Sequence, residues 1–320
     1  MRIRFWGTRG SIPVTAGAEN IRAKIKRALR AADGKRFANE TQLDKFIDNK
    51  LDFPTRHGFG GDSACIQIEG GPDYLLCDMG SGLRRFGRQV MQQPGPHLPR
   101  MYHFLMSHVH WDHIQGFPFF PPAYVPGNTI HIYSCLDTGM LAAALQQQHA
   151  SPFFPVDWNE LGADIIFNQL QPDRWHDING FRIKGMLQSH HGDSYSYRFE
   201  KDDKCLVYAT DAEHKQARER ETGAVIAFFE DADLVIFDAM YSLAEMVTVR
   251  EDWGHSSNIV GVDLCLRANV KHYCMFHHDP SYNDETLYKI LLETRRYGEI
   301  VSDGRNLKIS AAYDDMVVDI

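Results

Sequence analysis

Four side chains able to ligate a metal fall within six residues in His108-Val109-His110-Trp111-Asp112-His113, just after the apolar run Tyr102–Met106. Two histidines at i and i+2 leaving a strand end project to the same side, and the turn that follows can bring Asp112 and His113 to an adjacent point. Neutral imidazole and carboxylate are the ligands that Zn²⁺, Mn²⁺ or Fe²⁺ accept. Packing alone does not explain such a run, because it would bury ionisable groups without partners. A lone His-x-His would be weak evidence; the full pattern behind a strand is specific.

Further along lie other groups of the same chemistry. The histidine pairs His190-His191 and His277-His278, Asp211 closing Tyr208-Ala209-Thr210-Asp211, Gly254-His255-Ser256-Ser257, and Asp78 in LLCDMGSG each stand near the end of a strand-like run or the start of a helical one. Taken singly, each has an ordinary reading. Asp211 could cap a helix, His190 could be a strand histidine, and Ser256 could cap the helix starting near Asn258 while His255 merely packs.

Composition sets the frame. The chain has 320 residues, 43% hydrophobic and 24% charged, which suits a globular enzyme rather than a disordered chain. The start MRIRFWGTRGSIP has no signal-peptide core, and no run reaches the length of a membrane span, which points to the cytoplasm. Six cysteines without a C-x-x-C pair read as buried, reduced thiols. A net charge of −8 argues against a dedicated nucleic-acid binder.

The elements that must position these residues alternate. Strand-like runs are Arg2–Trp6, Cys65–Glu69, Tyr74–Met79, Tyr102–Met106, Thr129–Ser134, Phe181–Leu187, Tyr195–Glu200, Lys204–Ala209, Leu234–Asp238 and Lys271–Phe276. Helical periodicity marks Gly82–Met91, Thr138–Gln148, Ser256–Ala268 and Asp284–Tyr297. Neighbouring strands early and strand–helix alternation later predict two mixed β-sheets packed face to face with helices outside, an αββα sandwich of the α/β (α+β) class. No repeat or interdomain linker is legible, so residues 1–320 are read as a single domain. One segment stands apart: about Ala18 to Asp52 reads as a helical hairpin turning at Asp33-Gly34. Its first helix carries Ile21, Ile25 and Leu29 among five basic residues, its second Leu43, Phe46, Ile47 and Leu51. The hairpin is either a structural flap with solvated charges or a lid whose basic face draws in an anionic substrate.

With these residues in hand, the chain resembles the metallo-β-lactamase-fold hydrolases, and within them the phosphodiesterase branch that includes ribonuclease Z and the phosphonate-pathway cyclic phosphodiesterase. The likeness covers nearly the whole chain, through RFWGTRGSIP, GFGGDSACIQI, LLCDMGSGLRRFG, SHVHWDHIQGFPFF, SHHGDSYSYRF, LVYATDAEH, WGHSSN and MFHHDPSYND in the family's order. Asp62-Ser63 departs from the more usual Asn-Thr, a loop-capping exchange. The resemblance implies two divalent metal ions, with zinc first and manganese or iron as alternatives. It gives His108, His110 and His190 to one site, Asp112, His113 and His277 to the other, and Asp211 to both as a bridge. His191 and His278 are the alternatives within their pairs. Asp78 would orient a ligand histidine, and Gly80 and Gly82 would allow a tight turn towards the site.

Two metals about 3.5 Å apart lower the pKa of a shared water and stabilise negative charge, machinery for phosphodiesters, thioesters, lactones or β-lactams. The Gly254-His255-Ser256-Ser257 element resembles the His-Ser-Thr of ribonuclease Z and its phosphodiesterase relatives. It implies attack by a metal-bridging hydroxide, with His255 protonating the leaving alkoxide and Asp112 also serving the chemistry. A small phosphodiester such as a cyclic nucleotide is the expected substrate, because no Gly-rich basic arm for gripping tRNA is present. Phe117–Pro122 and Ser151–Pro155 are expected near the mouth, either stacking a nucleobase or packed as stiff loops. The alternatives are a ribonuclease Z-like RNA 3′-end endonuclease, a lactonase or thioesterase of the same fold, and a non-catalytic metal-binding sensor. A homodimer is possible by analogy with the fold.

Overall fold

A computed structural model describes residues 1–93, 100–214, 219–242, 245 and 253–320. Two seven-stranded mixed sheets stack face to face. The first holds β1 (Arg2–Gly7), β2 (Cys65–Glu69), β3 (Tyr74–Cys77), β4 (Met101–Leu105), β5 (Thr129–Ser134), β6 (Asp164–Gln169) and β14 (Val317–Asp319) in the order β14-β1-β2-β3-β4-β5-β6. The second holds β7 (Trp175–Ile178), β8 (Phe181–Gln188), β9 (Ser194–Lys201), β10 (Lys204–Ala209), β11 (Leu234–Asp238), β12 (His272–Phe276) and β13 (Lys308–Ala311) in the order β13-β12-β11-β10-β9-β8-β7. Each sheet is antiparallel over three adjacent pairings and parallel over the next three. The sandwich is therefore two halves of one design, a duplication that the sequence does not display.

Burial explains the strand sequences. Alternate residues such as Phe5, Ile66, Leu75, Phe199, Leu206 and Ile236 fill the space between the sheets. The opposite faces carry Leu76, Phe104 and Ile132 on one sheet and Val207, Val235 and Tyr273 on the other. Helices cover both. The parallel strands β11 (LVIFD) and β12 (HYCMF) are buried at every position, as strands covered on both faces must be.

Helices α4 (Gly82–Met91), α5 (Trp111–Ile114) and α6 (Thr138–Gln148) belong to the first half, and α7 (Glu219–Phe229), α8 (Asn258–Arg267) and α9 (Asp284–Val301) to the second. The inserted segment folds as α1 (Ala18–Ala31) and α2 (Glu40–Lys50), followed by the single turn α3 (Phe53–Arg56). Asn39 caps α2 by accepting from the Gln42 N–H. On α2 the expected apolar face points inward, with Phe46 buried and Leu43 and Ile47 half-buried. On α1 the result is the reverse of an ordinary amphipathic helix: no residue is buried, and Ile21, Ile25 and Leu29 are exposed.

Candidate metal centre

Every predicted ligand except His110 and His190 is buried, and all seven converge where strand ends meet along one edge of the sandwich. Beyond β4 the chain passes Ser107 and His108, reaches the exposed mouth at His110, then turns through α5. That single turn carries Asp112 and His113 inward. His190 lies between β8 and β9, Asp211 two residues past β10, and His277 directly after β12.

The predicted ligand atoms fall in two groups, each with its atoms within 4.8 Å of one another: His108, His110, His190 and Asp211, and Asp112, His113 and His277; a third set, Asp211, His255 and His277, meets the same distance. Asp211 joins the first two. Its Oδ2 lies 3.6 Å from His108 Nε2 and 3.8 Å from His190 Nε2, while Oδ1 lies 3.2 Å from His113 Nε2 and 3.3 Å from His277 Nε2. His277 Nε2 also stands 3.1 Å from Asp112 Oδ2. His191 is exposed and outside both groups. His278 points elsewhere, its Nε2 2.8 Å from the Ala312 carbonyl.

Bonds behind these histidines fix which nitrogen faces inward. Asp78 Oδ2 lies 2.8 Å from His113 Nδ1, and the Gly254 carbonyl 2.7 Å from His190 Nδ1, so each proton sits on Nδ1 and each Nε2 presents a lone pair. Asp78 itself accepts from the Ser107 N–H and hydroxyl and from the Tyr208 hydroxyl of β10, tying the two sheets together beneath the site. Ring nitrogens then meet at short range: His113 Nε2 is 3.2 Å from His277 Nε2, and His190 Nε2 is 3.1 Å from His110 Nδ1. His108 Nε2 is buried with no hydrogen-bond partner. Burial pushes the Asp211 carboxyl up, but the facing His277, His113 and His108 hold it well below the usual carboxylate range. Among the described residues no Lys or Arg pairs with Asp78, Asp112 or Asp211. Imidazole nitrogens and carboxylate oxygens converging in a buried site with no Lys or Arg among them form a donor set that fits borderline divalent metals.

Four supporting residues were not legible in the sequence: Asp238, Ser11, Gly10 and Tyr208. Asp238, fully buried at the end of β11, lies with Oδ2 2.8 Å from His255 Nδ1 and also accepts from the Ala212 and Met240 N–H groups. The signal was an Asp ending the apolar run LVIF, of the same kind that marked Asp211. Ser11 donates its N–H to Asp112 Oδ2 at 2.8 Å, and Gly10 lies so close to His277 that an added Cβ would sit 2.6 Å from the ring. Tyr208 read only as a strand residue. His255 stacks 5.1 Å from the His277 ring and lies 5.2 Å from that of His190. Burial alone would lower its pKa, but the charge and hydrogen bond of Asp238 win and lift it to about 9. At Asp62-Ser63, Ser63 Oγ donates to the Asp112 carbonyl and Asp62 accepts from Ser81 ahead of α4, which is loop-capping work. Of the expected mouth aromatics, Phe117 and Phe120 are core residues, whereas Phe119 and Phe153 are exposed; Trp111, between two ligands, is 58% exposed.

The chain matches the family model of the beta-lactamase superfamily domain over residues 73–278, from the start of β3 past His277. No curated protein matches it. Among solved structures, the metallo-beta-lactamase fold protein YhfI from Bacillus subtilis is similar with TM-score 0.62 and 16% identity, over 99% of this chain and 98% of that one. The short form of human tRNase Z gives 0.61 and 16%, over 100% and 99%. A diphosphatase from the PhnP family gives 0.60 and 15%, over 100% and 97%. At such identities the likeness is one of fold. With the family match covering the whole candidate ligand set, the chain belongs to the beta-lactamase superfamily, with the metallo-β-lactamase fold and the histidine–aspartate cluster of a metal-dependent hydrolase.

Proposed function

We propose that this chain is a binuclear metal-dependent phosphodiesterase acting on a small phosphodiester such as a cyclic nucleotide. The observation that carries the reading is the Asp238–His255 pair set against a two-group ligand cluster. His108, His110 and His190 would hold one ion, Asp112, His113 and His277 the other, and Asp211 both. Zinc is the first choice, with manganese or iron as alternatives. When bound, the two ions would supply a water of lowered pKa and offset charge on the phosphoryl oxygens. The chain's own residues do the rest. Asp238 takes the Nδ1–H hydrogen bond of His255 and favours its doubly protonated form, so that Nε2 also carries a proton, which it hands to the departing alkoxide and thereby becomes neutral. Asp112, fixed by the Ser11 N–H, holds its carboxylate against His277. The exposed Trp111 offers a face on which a base can stack.

A small substrate is supported by the net charge of −8, which disfavours a long polyanion. Six buried free cysteines support a reducing, cytoplasmic setting, with residues 1–320 acting as one domain. Among the described residues no helix is long and apolar enough to cross a membrane. The human tRNase Z, the PhnP-family diphosphatase and a yeast PDE1 structure agree with phosphoester chemistry only as analogy.

The test is hydrolysis of bis-(p-nitrophenyl) phosphate and of cyclic nucleotides by protein reconstituted with Zn²⁺ or Mn²⁺. Turnover that Asp211→Ala abolishes is the expected result. Preference for a tRNA precursor would move the assignment to the endonuclease. Turnover only of lactones or thioesters would contradict the reading.

A further inference from the structure

Of the five tryptophans, two stand most open to solvent, Trp111 at 58% and Trp253 at 55% exposed. The others serve the fold: Trp6 is buried, Trp158 stacks on Phe167, and Trp175 lies under Arg182 and Lys184. Both open rings belong to the rim of the metal cluster. Trp111 directly follows His110 and opens α5, and Trp253 directly precedes Gly254, whose carbonyl lies 2.7 Å from His190 Nδ1. His110 and His190 in turn meet at 3.1 Å. The path from one tryptophan to the other therefore runs through His110, His190 and Gly254, with the two rim imidazoles in its middle. Glycine keeps that middle low. A Cβ on Gly192 would stand 3.4 Å from His110 Nε2, and one on Gly254 2.7 Å from His190 Nδ1. His255 follows Gly254, its ring 5.2 Å from that of His190.

A large aromatic ring left in water forgoes the gain of burial, so two of them at one metal mouth mark a surface built to be covered. The two ends of the path differ in what lies beside them. Trp253, Gly254 and His255 are consecutive, so the proton donor of the reading above, and with it the departing alkoxide, lies at the Trp253 end. Trp111 stands at the other end, beyond the rim imidazoles, where the group that stays on phosphorus can reach it. A cyclic mononucleotide carries one base and covers one ring. A dinucleotide carries a base on either side of its scissile phosphate.

We propose that Trp111 and Trp253 form a two-sided clamp and that, among small phosphodiesters, the site prefers linear dinucleotides to cyclic mononucleotides. This rests on the phosphodiesterase reading above. The base of the departing nucleoside stacks on Trp253 and that of the retained nucleotide on Trp111. Water adds across the bond. Its oxygen joins phosphorus, the phosphorus–oxygen bond on the Trp253 side breaks, and the departing oxygen takes the His255 proton, which one proton of the water replaces. One nucleoside and one nucleotide leave. Both tryptophans set specificity, and neither takes part in the bond changes.

Two measurements on the full chain test it. The first is binding without chemistry, in which metal-free protein is titrated with the dinucleotide ApA and with 3′,5′-cyclic AMP and read by quenching of tryptophan fluorescence. ApA is expected to bind about tenfold tighter, Trp111→Ala and Trp253→Ala each to weaken it about tenfold, and Trp111→Phe and Trp253→Phe to restore most of the loss. The second is kinetics of zinc-loaded protein on two esters with one leaving group. Bis-(p-nitrophenyl) phosphate has a ring on both sides, and methyl p-nitrophenyl phosphate has only the departing one. Trp111→Ala is expected to raise KM about tenfold on the first ester but not on the second, and Trp253→Ala to raise it about tenfold on both, with the effect in KM and not in kcat. ApA bound no tighter than cyclic AMP, or a Trp111→Ala that treats the two esters alike, overturns the clamp while the phosphodiesterase reading stands. No turnover of any phosphodiester overturns both.

Discussion

The carboxylate of Asp211 has one oxygen for each ligand group, and its backbone sits in the left-handed region at φ 48°. Asp78 and His277 share that conformation, at φ 58° and 59°, and each follows the end of a strand. The reversed curl turns these side chains over the sheet edge instead of along it, at a cost of about 1 kcal/mol or more per residue. Of the seven candidate ligand positions, the run His108–His113 was legible from residue type and spacing, whereas His190, Asp211 and His277 had ordinary readings singly and were marked out only by the family resemblance. The curl was not legible, since Asp tolerates this region without any signature in the sequence. Asp238 was passed over because a carboxylate that only holds a histidine looks like a strand terminus. Two predictions belong at this scale. His255→Ala should lower kcat on cyclic nucleotides by about 10²–10⁴-fold, with metal content unchanged. On bis-(p-nitrophenyl) phosphate, whose leaving group needs no proton, the loss should be far smaller; equal losses on both would remove His255 from proton transfer. Gly10→Ala presses a methyl group on the His277 ring. It should weaken the second metal about 10–100-fold, measured by titration with a competing chelator.

At the scale of elements, long strands and helices were read almost residue for residue. The strands β6, β7, β13 and β14 were not, nor was α7. β14 has three residues and lies at a sheet edge, where pairing to β1, not local pattern, makes it a strand. β12 carries a group whose burial has a measurable consequence. His272 begins it, with Nε2 2.7 Å from Ser310 Oγ. Burial, with Lys308 and Arg295 nearby, pushes its pKa down to about 4. The folded state thus resists a proton that the unfolded chain takes up near pH 6.5, so stability is full above that pH and falls as pH drops towards 4. Between pH 7 and pH 5, denaturant unfolding should show the wild type losing about 2 kcal/mol more than His272→Gln. Parallel curves would contradict the assignment.

For the whole molecule, the αββα arrangement followed from strand and helix order, but the duplicated pairing pattern of the two sheets did not. The strand order repeats between the sheets where the sequence shows no repeat. The inserted hairpin was legible as two helices. Its mounting was not, because α1 is held by ion pairs to α9 that lie far away along the chain. Between the two halves lies the cluster on which the account depends. Three buried carboxylates and five converging histidines without a cation should make the metal-free protein less stable, by about 4 kcal/mol relative to protein at a metal concentration of a thousand times Kd. The most direct test is elemental analysis of metal bound per chain, after loading and removal of free ions, on wild type and Asp211→Ala with melting temperatures alongside. The account predicts two divalent ions per chain in the wild type, one for each ligand group, a deficit in Asp211→Ala, and a fall in melting temperature on chelation. A wild type that binds none, or whose melting temperature ignores chelators, would contradict it.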